Sequence, residues 1–177
     1  ASEGLIGICI EDNFGSIVEL NSETDFVARN VEFQEFVSSV AKISLNNKGD
    51  LDDILKSKYL DFDKSVQEVL TDKIAEIGEN MSLRRTNVLS VSNGIIAVYT
   101  HNSVNDNLGK IVVAVSLSNN DEALAKQIAM HIAASNPVAL SEKQLPDELI
   151  KREEKLYFEQ VRESGKPENI LENIVKG

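Results

Sequence analysis

Apolar residues near the start of the chain follow the two-residue period of a β-strand and then change to the period of a helix. Residues 5–10 and 17–20 are apolar or alternating, and residues 11–15 between them supply a turn, which predicts a β-hairpin. A short helix capped by Ser22 or Thr24 is expected next. Apolar side chains then recur at the spacing of a one-sided helix, and these are Phe33, Phe36, Val37, Val40 and Ala41.

A second apolar stripe at helical spacing precedes a further pair of predicted strands. Gly78 stands where this helix would stop, and the stripe consists of Val66, Val69, Leu70, Ile74 and Ile77. Residues 88–91 and 95–99 flank Asn93 and Gly94, which tolerate the positive φ angles of a tight hairpin turn. We therefore predict that these two segments pair with each other.

One more strand and one more helix follow. Residues 110–117 are predicted to form the strand, and Asn119 or Asn120 is expected to cap the helix. An Asn-Pro pair at residues 136–137 would stop that helix, whose apolar stripe is Leu124, Ile128 and Ile132. His131 lies beside the stripe, so we expect it to pack in the core.

The two halves of the chain share a weak internal repeat. Residues 4–8 resemble residues 94–98, residues 15–18 resemble residues 109–112, and a helix follows each pair of segments. The repeat predicts an α+β fold with two related subdomains, each a small antiparallel sheet packed on helices. Chance similarity between apolar strands is the alternative.

Beyond Pro146 the apolar residues stand in a highly charged setting. The first segment carries Leu149, Ile150, Leu156, Tyr157 and Val161, and after residues 165–167 the second carries Ile170, Leu171, Ile174 and Val175. This pattern predicts a helical hairpin, either a projecting coiled-coil arm or an ordinary packed helix pair. The predicted organisation is an N-terminal core subdomain at residues 1–92, a C-terminal core subdomain at residues 93–139 and the arm at residues 140–177.

Charge narrows the kind of partner that this chain could bind. The net charge is −11, and acidic residues outnumber basic ones chiefly before Met81. A protein that binds a phosphate backbone needs a basic face, whereas the adjacent basic pairs are only Arg84-Arg85 and Lys151-Arg152. We therefore expect a protein partner and no nucleic acid. The acidic half would either steer the approach to a basic patch or simply keep the protein soluble.

The remaining composition favours a soluble, cytoplasmic protein. No run of about 18 apolar residues is present to span a membrane, and residues 1–4 lack the features of a secretory signal. The single cysteine, Cys9, excludes an internal disulfide and favours a reducing compartment. Because the chain opens without Met and passes at once into a strand-like run, we expect it to be an excised piece of a longer protein.

Residue patterns for catalysis or metal binding are missing from the sequence. The two histidines, His101 and His131, have no second ligand residue at metal-site spacing. The glycine-rich phosphate-binding motifs and the nucleophile-elbow motif are also missing. Acidic pairs such as Asp52-Asp53 lie in polar stretches, where carboxylates are usually solvated. We therefore expect neither an enzyme nor a cofactor or metal site.

Several motifs resemble those of one family of translation factors. The run at residues 18–30 reads VELNSETDFVARN and closely resembles the signature of the elongation factor Ts family. Three further matches extend the resemblance over essentially the whole chain: KIAEIGEN at residues 73–80 with Arg84-Arg85, YTH at residues 99–101 and HIAASNP at residues 131–137.

The resemblance implies a guanine-nucleotide exchange factor that binds elongation factor Tu, both GDP-bound and nucleotide-free, and promotes GDP release during translation elongation. It also implies an N-terminal helical domain, a core of two subdomains and a coiled-coil dimerization arm. The N-terminal domain and the C-terminal end of the family would be absent here. A helical arm can pair with itself or with a partner, so a homodimer stays open.

The resemblance also implies which residues touch the partner. Positions at a tip that enters elongation factor Tu and dislocates its magnesium ion match Thr24, Asp25, Phe26 and Val27, with the Phe ring wedged between partner helices. Positions that press near the partner's phosphate-binding loop match Ile77, Gly78 and His101.

Taken as residues alone, these positions have simpler explanations. Phe26 precedes Phe33 by two helical turns and could only prolong the core stripe. Ile77 could only end its stripe, Gly78 could only stop a helix, and His101 could be an exposed loop residue. The rival function is a protein-interaction module of the same fold that does not act on nucleotide.

Overall fold

The computed structural model describes residues 3–163, which form five strands and five α-helices. In chain order these are β1 (Glu3–Glu11), β2 (Phe14–Ser22), α1 (Val31–Asn46), α2 (Leu51–Lys56), α3 (Val66–Ile77), β3 (Met81–Ser90), β4 (Ile95–Asn105), β5 (Leu108–Leu117), α4 (Glu122–Ser135) and α5 (Asp147–Glu163). Short 3₁₀ helices lie at Val27–Arg29 and Glu142–Gln144. The predicted α+β class is confirmed.

The strands form one antiparallel sheet in the order β3-β2-β1-β5-β4. The two small sheets expected from the sequence are therefore joined, by a pairing of β1 with β5 at Ile6↔Gly109 and Gly7↔Leu108. This pairing is short compared with those inside each half, so each half keeps its own hairpin. The boundary between residues 92 and 93 stays a prediction.

The hairpin predicted around Asn93 and Gly94 is wrong. β3 pairs with β2 from Phe14↔Ser90 to Ser22↔Met81, whereas β4 pairs with β5 at the opposite edge of the sheet. Gly94 has φ 129°, and a Cβ there would lie 1.9 Å from the Leu117 carbonyl oxygen. The glycine thus permits a close approach between the start of β4 and the end of β5, rather than a turn between β3 and β4.

The internal repeat has a structural counterpart. β1 and β2 form an antiparallel hairpin followed by α1, and β4 and β5 form a second one followed by α4. Gly4 stands in the first hairpin where Gly94 stands in the second: its φ is 132°, and a Cβ would lie 2.0 Å from the Leu20 carbonyl oxygen. Both hairpins therefore use glycine for the same contact.

The hydrophobic core lies where α1 packs on β1 and β2. All five apolar residues predicted for this helix are buried. Asn30 caps α1 by accepting a hydrogen bond from the Phe33 N–H. Among the described residues, the second half contributes Leu108 to this core cluster, and that side chain is fully buried.

The helix before Gly78 also forms as predicted. A capping box between Ser65 and Glu68 begins α3, and Gly78 ends it with φ 80° in the left-handed region. Of its predicted stripe, Val66, Val69 and Leu70 are buried, while Ile74 and Ile77 pack against the core at its edge.

The predictions for α4 need two corrections. Its cap is Asp121, whose carboxylate accepts the Leu124 N–H at 3.0 Å, rather than Asn119 or Asn120. Ala125 and Ala129 are buried, the predicted stripe residues Ile128 and Ile132 are half-buried, and Leu124 and His131 are exposed. Small side chains let this helix lie close to β4 and β5, so the alanine face points inward and the expected core position of His131 is wrong.

The second compact unit begins at Asn136 and contains α5, the first helix of the predicted arm. The break at residues 165–167 and the second apolar segment of that arm lie outside the described residues. None of the helices within residues 3–163 combines the length and apolarity that a bilayer crossing requires.

Candidate partner-binding site

Phe26 and its neighbour Val27 have opposite surroundings. The Phe26 side chain is 71% exposed, whereas Val27 and Ala28 are each only 3% exposed and belong to the core. Phe26 therefore does not prolong the α1 stripe, because Phe33 on that stripe is fully buried. The structure thus presents an aromatic ring to solvent immediately before two buried residues in the chain.

The backbone near Phe26 explains this change of direction. Phe26 precedes the 3₁₀ helix with α-helical φ and ψ, and no side chain caps that helix. The predicted capping by Ser22 or Thr24 is therefore wrong: the Ser22 hydroxyl donates instead to the Thr24 carbonyl oxygen at 2.9 Å. The Gln34 side-chain amide donates to the Ala28 carbonyl oxygen at 2.9 Å, which ties the short helix to α1.

The Phe26 ring lies near Arg29, which in turn pairs with Asp25. The guanidinium carbon of Arg29 lies 5.9 Å from the ring centroid, and an Arg29 nitrogen lies 3.5 Å from the Asp25 carboxylate. Both charged side chains are more than half exposed, so solvent screens their attraction. The Asp25 carboxylate therefore remains accessible to a hydrogen-bond donor on another protein.

The Phe26 loop, residues 23–26, is bonded to the segment that follows α3. The Glu79 carboxylate accepts two hydrogen bonds from Thr24, at 3.0 Å from the backbone N–H and 2.6 Å from the hydroxyl. The Asn80 side-chain amide donates to Glu23 at 2.7 Å. These bonds bring the two sequence motifs together, although Glu79 was not among the predicted site residues.

The predicted site residues on these two segments differ in what they can offer a partner. Asp25, Phe26 and Gly78 are exposed, whereas Thr24 and Ile77 are half-buried. Val27 is buried in the core cluster, so its side chain anchors this end of the loop. A Cβ added at Gly78 would meet no atom within 4 Å, which leaves this corner open to a close approach by another molecule.

His101 lies apart from the Phe26 loop in the sheet. It is exposed on β4, the edge strand opposite β3, and pairs with Ile111 of β5. Its Nδ1 lies 3.1 Å from the Tyr99 hydroxyl oxygen, and the two rings lie 6.1 Å apart. The side chain of His101 thus contacts Tyr99 on its own strand.

A β-bulge between β2 and β3 brings two arginine side chains to the carboxylate of Glu19. The β2–β3 register passes from Glu19↔Arg85 to Leu20↔Leu83, so Arg84 is an extra residue and both guanidinium groups contact Glu19. Burial alone would raise the pKa of Glu19, but hydrogen bonds from Arg85 and Asn21 and the arginine charges together lower it. Glu19 lies in the first sequence motif, and both arginines follow the second. Neither motif predicted that these residues would pair with each other.

A groove of about 880 Å³ lies between α1, α3 and residues 59–64. Lys73 lines it and is bound to Glu32 at 2.6 Å and Glu76 at 3.3 Å. The hydrogen bond to Glu32 is the main reason that the pKa of Lys73 is raised, so this amine stays charged and is a poor general base. Within residues 3–163, no group of three or more His, Cys, Asp or Glu residues could hold a metal ion.

Comparison with known proteins identifies the family. Residues 23–177 match the family model described as Elongation factor TS. Over 182 aligned positions that cover all of this chain, it is 47% identical to elongation factor Ts of Bartonella tribocorum, 46% to that of Parvibaculum lavamentivorans and 44% to that of Rhizobium etli. The chain spans 59% of the length of each of these relatives. The chain therefore belongs to the elongation factor Ts family.

Proposed function

We propose that this chain binds elongation factor Tu and promotes GDP release from it during translation elongation in the cytoplasm. The observation that carries the proposal is the exposed Phe26 ring on a loop that is bonded on one side and buried on the other. The partner would be met by Asp25 and Phe26 together with Ile77 and Gly78. His101 would make a separate contact from β4.

The residue types suit insertion between elements of another protein. An aromatic ring is a large, stiff apolar group that can contribute about 2 kcal/mol or more in a tight interfacial pocket. Asp25 beside it can accept a hydrogen bond from a partner donor. A ring that enters near the magnesium and phosphate site of elongation factor Tu would displace groups that hold the nucleotide, since the cation neutralises phosphate charge.

Linkage explains how such binding releases GDP without bond-making by this chain. If the chain binds the nucleotide-free partner more tightly than the GDP-bound partner, the affinity of the partner for GDP must fall by the same factor. GTP can then enter the emptied site and favour dissociation of the exchange factor.

A stopped-flow measurement of labelled GDP release from elongation factor Tu tests the proposal. Wild-type chain should accelerate release, and Phe26→Ala should lower the accelerated rate several-fold because the inserted ring is lost. The thermal midpoint should stay close to that of wild type, since removal of an exposed ring creates no cavity.

Phe14→Ala is the matched control. Phe14 is 51% exposed and begins β2, at the opposite end of the strand from the Phe26 loop. We expect its GDP release rate to equal that of wild type. Unchanged release by Phe26→Ala would rule out the wedge role. No acceleration by wild type would favour the interaction module instead.

A further inference from the structure

Side-chain hydrogen bonds continue the β2–β3 pairing beyond the end of the sheet. The last backbone pair is Ser22↔Met81. The next two positions on each strand, Glu23 with Asn80 and Thr24 with Glu79, are joined by side-chain bonds of 2.7 Å, 3.0 Å and 2.6 Å. The register of the β2–β3 pairing is therefore kept for two more residues on each segment.

Glu79 makes the stronger of these two connections. Its two carboxylate oxygens accept one bond each from the backbone N–H and the hydroxyl of Thr24, whereas Glu23 accepts a single bond from the Asn80 amide. Bonds to a carboxylate are shorter and stronger than neutral ones, and Glu79 makes two of them. Glu79 is half-buried, so solvent competes less for its oxygens than for those of an exposed carboxylate.

The position of Glu79 in the chain connects two parts of the candidate site. It directly follows Gly78, whose left-handed backbone ends α3. Thr24 stands two residues before Phe26, and Val27 on the other side is buried in the core. Asp25 and Phe26 are thus the two exposed residues between a bonded residue and a buried one.

We propose that Glu79 is a positioning residue for Phe26. It acts through Thr24 and fixes the height and direction at which the ring leaves the surface, and it need not touch the partner itself. This inference rests on the proposed exchange function. It adds a residue to the site and assigns Thr24 a role within the molecule.

The test compares four variants in GDP release from elongation factor Tu. Glu79→Ala removes both acceptors and should lower the accelerated rate several-fold. Glu79→Gln should recover most of that rate, because its amide oxygen can accept the Thr24 N–H and its NH₂ group can donate to the hydroxyl. Thr24→Val loses only the hydroxyl bond and should show an intermediate loss, which also serves if Glu79→Ala does not fold. Glu76→Ala, an exposed carboxylate on α3, is the charge-matched control and should resemble wild type.

Amide hydrogen exchange in the isolated chain separates the geometry from the function. The Thr24 amide should exchange at least several-fold faster in Glu79→Ala than in wild type, and Glu79→Gln should restore its protection. Wild-type GDP release by Glu79→Ala despite faster Thr24 exchange would overturn the positioning role while leaving the exchange function intact. Failure of wild type to release GDP would overturn the proposed function, and this inference with it.

Discussion

Glycine is required at matching places in the two hairpins because the neighbouring strand comes too close for a side chain. At Gly4 and Gly94 a Cβ would lie 2.0 Å and 1.9 Å from a carbonyl oxygen of the paired strand. Gly78 is different, because its φ of 80° favours glycine while the space around it is open.

These two situations predict different costs of an added methyl group. Gly94→Ala should destabilise the protein by several kcal/mol, because both the backbone angle and the contact with the Leu117 carbonyl are violated. Gly78→Ala should cost only about 1–2 kcal/mol, the strain of a left-handed alanine. Urea unfolding of both variants measures the difference, and equal costs would contradict the close approach.

The resemblance to a known family pointed to the candidate site, but it did not reveal the hydrogen bonds within it. The motif indicated Asp25 and Phe26, and the structure leaves both exposed. It did not indicate that Glu79 binds Thr24, because that contact joins residues far apart in the sequence. The role of Phe26 toward a partner stays a prediction.

At the scale of elements, the helices α1, α3 and α4 were predictable, but the buried face of α4 was predicted only in part. The α1 stripe is buried as expected, because the large apolar side chains of this helix, including Phe33 and Phe36, lie on one face. In α4 Ala125 and Ala129 are buried, Ile128 and Ile132 are half-buried, and Leu124 is exposed, so the predicted stripe is only partly correct. Which side chains of α4 are buried depends on how closely the helix packs on β4 and β5, and the sequence does not give that distance.

The bulge between β2 and β3 predicts a pH-dependent stability. The folded-state pKa of Glu19 lies below its ordinary value of 4.5, so its ion pairs stabilise the protein above about that pH. This contribution is lost as the pH falls through the lower folded-state pKa. Glu19→Gln should therefore cost on the order of 1 kcal/mol at pH 7 and progressively less in acid.

Urea unfolding from neutral to acidic pH measures this difference. Glu122→Gln is the control, because its pair with Lys126 is exposed and screened by solvent. Its pH-dependent difference from wild type should be much smaller. A Glu19→Gln cost that does not change with pH would show that the arginines stabilise β3 without the charge of Glu19.

At the scale of the whole molecule, the fold class and the first hairpin were predictable, whereas the pairing of β3 with β2 and of β4 with β5 was not. Turn residues such as Asn93 and Gly94 report only that the chain changes direction. They do not reveal whether the next strand pairs locally or crosses to the far edge of the sheet, as β4 does. That choice depends on pairing with β2, which is distant in sequence.

Leu108 connects the two halves of the sheet. It is fully buried, pairs with Gly7 and belongs to the core cluster around α1. Leu108→Ala should cost about 2–5 kcal/mol, and hydrogen exchange should accelerate more in β4 and α4 than in α1.

Ile111→Ala on the same strand is the comparison, because Ile111 is 42% exposed. It should lower the unfolding free energy by less than about 1 kcal/mol and leave the exchange pattern unchanged. Uniform acceleration of exchange in the Leu108 variant would mean that both halves open together.

Val27 and Ala28, which directly follow the exposed Phe26 in the chain and are buried, bear on the proposed binding of a partner. Fixing the backbone of one mobile residue costs roughly 1–2 kcal/mol of conformational entropy. On a freely moving loop, that loss would be subtracted from the binding energy of the ring. If this chain binds elongation factor Tu as proposed, that loss has already occurred during folding, and more of the contact energy would be left to distort the bound protein.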